Sequence, residues 1–176
     1  MTLVAEKIVV KPLGTMPYQQ ALRAMKEFNF ARTDKTEDEL WLVEHPPVYT
    51  LGQGARDASV PNGIPVVRSD RGGEITYHGP GQAVLYALVD LARRGIKVKR
   101  FVWLLEQSVI ELLAQSGVCG ERRAGAPGVY VGGAKIAALG IRVSRGRSYH
   151  GLALNVDMDL SLPSPPSIRA VIRDCR

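Results

Sequence analysis

The sequence predicts a mixed α/β domain of the α+β type, a mixed sheet flanked by helices, and three observations carry that expectation. Short β-branched runs recur between glycine- and proline-bearing turns from Ile8 to Val156. Apolar residues at three- and four-residue steps occupy two segments, one beginning at Tyr18 and one at Val98. A length of 176 residues with 45% apolar and 23% charged content suits one domain with its own core, and excludes disorder as the main state.

Ile8 to Val10 predict the first strand. Pro17 stands where a first helical turn tolerates a missing N–H, so a helix follows, with Tyr18, Leu22, Met25 and Phe28 on its inner stripe and its end near Arg32. Glu39 to Val43 and Val48 to Leu51 predict strand pieces separated by Pro46 and Pro47, which force a bend or an edge position. Ile64 to Val67, Glu74 to Tyr77 and Ala83 to Val89 predict three more strands, divided by the turn-rich SDRGG and HGPGQ.

Val98 to Ser116 is the clearest helix, its broad apolar face built from Phe101, Leu105, Val109 and Leu112 with Leu104 and Leu113 beside them, and Gly117 is placed to end it. Gly128 to Val131 and Ala134 to Ala138 flank Gly132 and Gly133, a pair suited to a tight hairpin turn. Ile141 to Val143, the basic turn RGRS and a last strand from His150 to Val156 complete the pattern. The domain is expected over residues 3–160, and the proline- and serine-rich residues 161–176 are expected to be an irregular tail.

Composition narrows the setting. Twenty-three Lys and Arg against 17 Asp and Glu leave +6, which favours acidic partners. No apolar run approaches the roughly 20 residues of a membrane span. The opening MTLVAEKIVVKPL is charged where a secretory signal would be apolar, and Cys119 and Cys175 are too few for a disulfide framework. A cytoplasmic protein with reduced thiols is expected.

Three glycine-bearing segments could carry chemistry. In RGGEITYHGPGQ, Arg71 to Gln82, paired glycines let backbone approach a ligand; the same residues also read as a hairpin with a surface arginine and a solvated histidine. In GVYVGGAKIAALG, Lys135 stands among small apolar neighbours that could line a cavity, or is simply solvated. HGLALNV, His150 to Val156, is compatible with a ligand wall or with ordinary packing. A shared cleft would unite them.

The ordered motifs EHPPVYTLG, RGGEITYHGPGQ, GVYVGGAKIAALGI and HGLALNVDMDL resemble the octanoyltransferases of lipoate biosynthesis, from about Tyr18 to Leu160. The resemblance implies a fold related to the catalytic domain of biotin and lipoate protein ligases, with an acyl groove. It implies no cofactor, neither ATP nor a metal. The implied partners are octanoyl-acyl carrier protein as donor, and as acceptors the lipoyl domains of 2-oxoacid dehydrogenases and the glycine cleavage H protein, with no nucleic acid and no membrane.

By the same resemblance, Arg71, Gly72, Gly73, Glu74, Ile75, Thr76, Tyr77, His78, Ala138, Leu139, Gly140, Gly151, Leu152 and Ala153 surround the acyl substrate. Lys135 matches the family's catalytic lysine, whose ammonium lowers the pKa of a cysteine that attacks the acyl thioester. Lys135 or His78 could then manage protons at the acceptor amine. The alternatives are an ATP-dependent lipoate or biotin ligase, and a non-catalytic basic module motivated by RGIKVKR and SRGRS.

One departure matters. The family's Asn-Pro-Cys-Gly segment is absent, and Arg169 lies about where its nucleophilic cysteine is expected. The pattern stops near Ser161, which suggests a frameshifted or truncated reading, and the chain as written is expected to be impaired. Cys175, in RDCR, is a poor substitute on a proline-rich segment, and Cys119 reads as a small buried or incidental residue.

Overall fold

Pro17 fixes φ at −57° just ahead of α1 (Tyr18–Ala31), whose inner stripe buries Tyr18, Ala21 and Met25. The second helix, α2 (Val98–Gln115), buries Phe101, Leu105, Val109 and Leu113, whereas Leu112, expected on that face, is half exposed because the stripe advances from Val109 to Leu113 and leaves Leu112 one position off it. It ends as its glycine requires: Gly117 takes φ +72°, its N–H bonds the Ala114 carbonyl, and the Val118 N–H reaches back to Leu113, a Schellman closure. The structure, a computed structural model, describes residues 7–56 and 63–159; the expected tail at 161–176, with Arg169 and Cys175, lies outside them.

The strands are β1 (Ile8–Thr15), β2 (Asp38–Glu44), β3 (Val48–Leu51), β4 (Val66–Arg68), β5 (Ile75–His78), β6 (Gln82–Leu88), β7 (Gly128–Val131), β8 (Ala134–Ser144) and β9 (Arg147–Asn155). Six form one sheet in the order β1-β2-β6-β9-β8-β7, with β1 and β2 parallel and the other neighbours antiparallel. The remaining three form a second, small sheet in the order β4-β3-β5. Pro46 and Pro47 make the division: they cannot donate to a ladder, so the chain leaves the large sheet after β2 and enters the small one at Val48.

Side-chain alternation assigns the helices to opposite faces of the large sheet. Phe101, Leu105, Val109 and Leu113 of α2 pack with Ala87, Val89, Leu152 and Leu154. Tyr18, Ala21 and Met25 of α1 pack with Val84, Tyr86, Leu88, Tyr149 and Ala153. Fully buried residues such as Leu113 and Ile136 each contribute about 1.5–3 kcal/mol by leaving water. No helix among the described residues is long and apolar enough to cross a membrane.

The hairpin at Gly132 and Gly133 forms as the sequence predicts, with φ of +54° and +87°. Other expectations change: the first strand runs on to Thr15, the strand expected from Ile64 to Val67 is Val66–Arg68, and the last begins at Arg147. The pieces Ala134 to Ala138 and Ile141 to Val143 are a single strand, β8, because Leu139 and Gly140 continue the ladder opposite Leu152 and Gly151 of β9.

Candidate functional site

Close backbone packing through glycines builds the site. Gly140 and Gly151 face each other across β8 and β9, and a Cβ on Gly151 would collide with the carbonyl oxygen of Leu85. A Cβ on Gly140 would come within 2.9 Å of the Gly72 carbonyl, so the loop from Arg71 to Gly73 lies directly on β8, held by the Gly72 N–H on the Ile141 carbonyl. The same loop is zipped to the end of β3 by bonds from Gly52, Gln53 and Gly54. A side chain at Gly52 or Gly140 would push this loop away from β3 or β8, whereas one at Gly151 would disturb the β6–β9 ladder itself.

Arg71 is the pin of that loop. Its Nε donates to Thr50 Oγ1 at 3.0 Å, Nη1 to the Gly72 carbonyl at 2.8 Å, and Nη2 to the carbonyls of Thr50 and Glu74, both at 2.7 Å. Buried and bound to neutral oxygens, the guanidinium leaves its charge uncancelled by these partners, which suits an anion forming nearby.

The groove between the sheets has two joined parts. Thr76, His78, Val84, Tyr86, Ala138, Leu139, Gly140, Gly151, Leu152 and Ala153 line a narrow inner slot with Tyr18, Arg71 and His150. Arg71 to Thr76, Ala138 to Ile141, Lys135, Val102 and Gly125 to Pro127 line an outer cleft of about 720 Å3, within the size range of small-molecule sites. Of the residues expected around the substrate, all but Tyr77 lie on this one groove. Tyr77 alternates to the other side of β5 and packs on Tyr49, with ring centroids 5.2 Å apart, beside Met158.

The inner slot ends among the chain's three histidines, His45, His78 and His150, interleaved with Tyr18 and Tyr86. His78 is buried, and desolvation takes its pKa down to about 3 although a bond to Gln82 opposes the shift. Gln82 donates its amide to Asn155 and accepts from His78 Nδ1 at 2.7 Å, so Nε2 carries the lone pair. His45 donates from Nδ1 to the Met16 carbonyl and accepts the Tyr86 hydroxyl at Nε2, and burial likewise lowers its pKa.

His150 adopts a left-handed φ of +60° at the edge of the slot. Burial opposes ionisation of Asp70, yet bonds from His150, Tyr149 and Lys26 hold that carboxyl well below the usual carboxylate range. His150 Nε2 therefore donates to Asp70 Oδ1 at 2.9 Å, leaving Nδ1 a buried acceptor without a protein partner. Thr76 Oγ1, on the facing strand, is also buried and unpartnered.

Lys135 extends over the backbone of Gly128, where a Cβ would meet its Cε at 3.1 Å. Its ammonium donates to the Pro127 carbonyl at 3.1 Å and lies 5.3 Å from the Tyr130 ring centroid. It is thus a half-buried cation at the cleft wall. Cys119 is exposed and lines neither part of the groove.

Sequence reading singled out no role for Tyr18, His45, Val84, Tyr86 or Asp70. Their partners are remote in the chain, His45 with Tyr86 and His150 with Asp70, so no local spacing exposes them. The EHPPVYTLG motif, which contains His45, was the one available signal.

The sequence matches the lipoyl protein ligase A/B catalytic domain over residues 17–167. It is 60% identical to the octanoyltransferase of Dechloromonas aromatica, covering 87% of this chain and 76% of that protein. It is 54% identical to that of Escherichia coli strain HS, covering 89% and 74%. Among solved structures it superposes on lipoate-protein ligase A bound with ATP at a TM-score of 0.77 and 16% identity, over 96% of this chain and 77% of that one. Biotin protein ligase from Aquifex aeolicus superposes at 0.54 and 9% identity, over 96% and 58%. These two likenesses establish the shared fold.

Proposed function

This chain belongs to the lipoyl protein ligase A/B catalytic family, beside its octanoyltransferases, and from that premise we propose that its groove serves octanoyl transfer in lipoate biosynthesis. The donor is octanoyl-acyl carrier protein, and the acceptor is a lysine of lipoyl domains in the 2-oxoacid dehydrogenases and the glycine cleavage H protein, in the cytoplasm. The carrying observation is the convergence of Ala138–Gly140, Gly151–Ala153 and the Arg71–Thr76 loop on one groove with Lys135 in its wall. Small walls leave room for an alkyl chain, and each buried methylene contributes about 0.8 kcal/mol.

In the reaction, a thiolate attacks the octanoyl thioester, forming a new thioester and expelling the carrier thiolate, which takes up a proton from water to leave as the thiol. A deprotonated lysine of the acceptor then displaces the attacking thiolate, forming an amide. The first exchange is nearly balanced and the second strongly favourable, so no nucleotide is consumed. The Lys135 ammonium stabilises the thiolate and Arg71 adds positive potential at the groove floor. His78 Nε2, held neutral by burial, is an acceptor on the slot wall.

Residues 1–176 contain no Asn-Pro-Cys-Gly segment, and on this reading they supply the octanoyl groove without the thiolate that would occupy it. Incubated with octanoyl-acyl carrier protein, the chain should form no acyl adduct by mass spectrometry; a thioester on Cys175 at catalytic speed would overturn this. A hybrid of residues 1–159 followed by the corresponding C-terminal portion of the Dechloromonas relative should octanoylate a lipoyl domain without ATP. A folded hybrid that leaves the domain unmodified refutes the transferase reading, and one that needs ATP and free octanoate turns it into a ligase.

A further inference from the structure

Next to the cleft, cations and aromatic rings alternate on the surface. The guanidinium carbons of Arg100 and Arg122 lie 4.1 Å and 4.6 Å from the Trp103 ring centroid. Arg123 lies 4.4 Å from the Tyr130 centroid, whose ring Lys135 also approaches. Arg122 is tied down by Glu106 at 3.1 Å and by Gln107 at 2.7 Å. Among the described residues no acidic side chain pairs with Arg100, Arg123, Lys97 or Lys99.

The charge is concentrated here. Residues 97–135 hold six Lys or Arg and three acids, a net +3 out of the chain's +6. One of those acids, Glu106, is buried and spent on Arg122 and the Gly128 N–H. Trp103 keeps 38% of its surface exposed, with Arg100 and Arg122 against its ring. The patch is continuous with the groove, since Val102, Ala126, Pro127 and Lys135 belong to the cleft wall and the Tyr130 hydroxyl donates to the Ala126 carbonyl.

We propose that this patch, centred on Arg100, Trp103 and Arg123, is the docking surface for the acidic protein that delivers the octanoyl thioester. Stacking on Trp103 and Tyr130 restrains the guanidinium groups of Arg100 and Arg123, so less freedom is lost when carboxylates pair with them. The surface runs from Lys135 away along the start of α2. That offset suits a donor whose thioester rides on a long flexible arm; an acceptor lysine on a short side chain needs its own domain at the groove mouth.

The inference rests on the octanoyl-transfer reading, and binding separates the two. The dissociation constant of octanoyl-acyl carrier protein for the intact chain is measured by calorimetry at low salt, for the unsubstituted protein, for Arg100→Glu and Arg123→Glu singly and together, and for Arg145→Glu in the β8–β9 turn. Thermal unfolding confirms that each variant is folded, and the two single variants cover the loss of either. The expected result is weakening of about tenfold for each patch variant and less than about twofold for Arg145→Glu. Equal binding by all variants overturns the docking surface and leaves the transferase reading intact. No binding by the unsubstituted protein, or tighter binding of duplex DNA lost in the same variants, overturns both.

Discussion

Asp38 and His78 are both buried titratable groups on strands, and their surroundings treat them in opposite ways. At the start of β2 the Asp38 carboxylate receives Arg32, Arg93 and Arg94 together with the Asp90 N–H. At the end of β5 the His78 ring meets Gln82, Thr50, Tyr18 and His45, none of them an opposite charge. Burial opposes ionisation at both sites. At Asp38 the bonds from Asp90, Arg94 and Arg32 win and hold the carboxyl below its ordinary 3.8, whereas at His78 desolvation wins. The first cluster is a closed lock between β2 and the turn after β6. The second, with the free acceptor on His150 and the unpartnered Thr76 hydroxyl beside it, keeps polar capacity open to a ligand.

Breaking the lock should have the largest effect. Asp38→Ala removes the carboxylate that three arginines share, leaving the fully buried Arg32 side chain without its counter-charge, and should cost about 3–5 kcal/mol, read as a lower urea midpoint. A loss below about 1 kcal/mol would show that the arginines find other partners. Next comes the glycine contact that shapes the slot. Gly151→Ala drives a methyl into the Leu85 carbonyl and should cost about 1–3 kcal/mol, with loss of octanoyl-carrier binding as well. Gly54→Ala, where a Cβ makes only ordinary contacts and no left-handed φ adds strain, separates this collision from a general glycine effect.

Acid titration separates the clusters along the pH axis. His78 takes up a proton in the unfolded chain near its ordinary 6.5 and in the folded chain only near 3, so its contribution is complete above about 6.5 and is lost as pH falls through that window. His45 and His150, both lowered chiefly by burial, act in the same direction. Asp38 begins to contribute to the loss only below its ordinary 3.8. Stability by chemical denaturation should therefore fall between pH 6 and 4.5, at up to about 1.4 kcal/mol per pH unit for each such histidine. His78→Gln should flatten that slope and leave the drop below pH 4 in place. An unchanged slope in the variant would mean that His78 is protonated without penalty.

The two clusters also mark the limit of what local sequence reveals. β3 at Val48 to Leu51, the Gly132-Gly133 hairpin and the end of α2 at Gly117 follow from side-chain chemistry within a few residues, and all three were legible. The second sheet was not, because Pro46 and Pro47 announce a bend without saying where the chain goes next. Ala134 to Ala138 and Ile141 to Val143 read as separate pieces, yet they are one strand, and Gly140 between them serves the approach of Gly72 from a distant loop. Asp38 with Arg93 and Arg94, and Asp70 with His150, join residues 55 to 80 positions apart, and such pairings leave no periodic trace.

The smallest effect on stability should come from Lys135, and there the comparison is sharpest. Its ammonium has one hydrogen bond, to the exposed carbonyl of Pro127, and its stem packs on Gly128 and Tyr130. Lys135→Met keeps the stem and deletes the charge, so stability should move by no more than about 0.5 kcal/mol. Transfer by the hybrid bearing the relative's C-terminal portion should fall about 100-fold or more, because the thiolate loses its counter-charge. Lys135→Arg, which restores the charge at a different reach, should recover part of the rate at low pH, where the thiolate is otherwise scarce. Full activity in Lys135→Met would assign thiolate stabilisation to Arg71 alone, the other cation held at the groove with no carboxylate among its bonds.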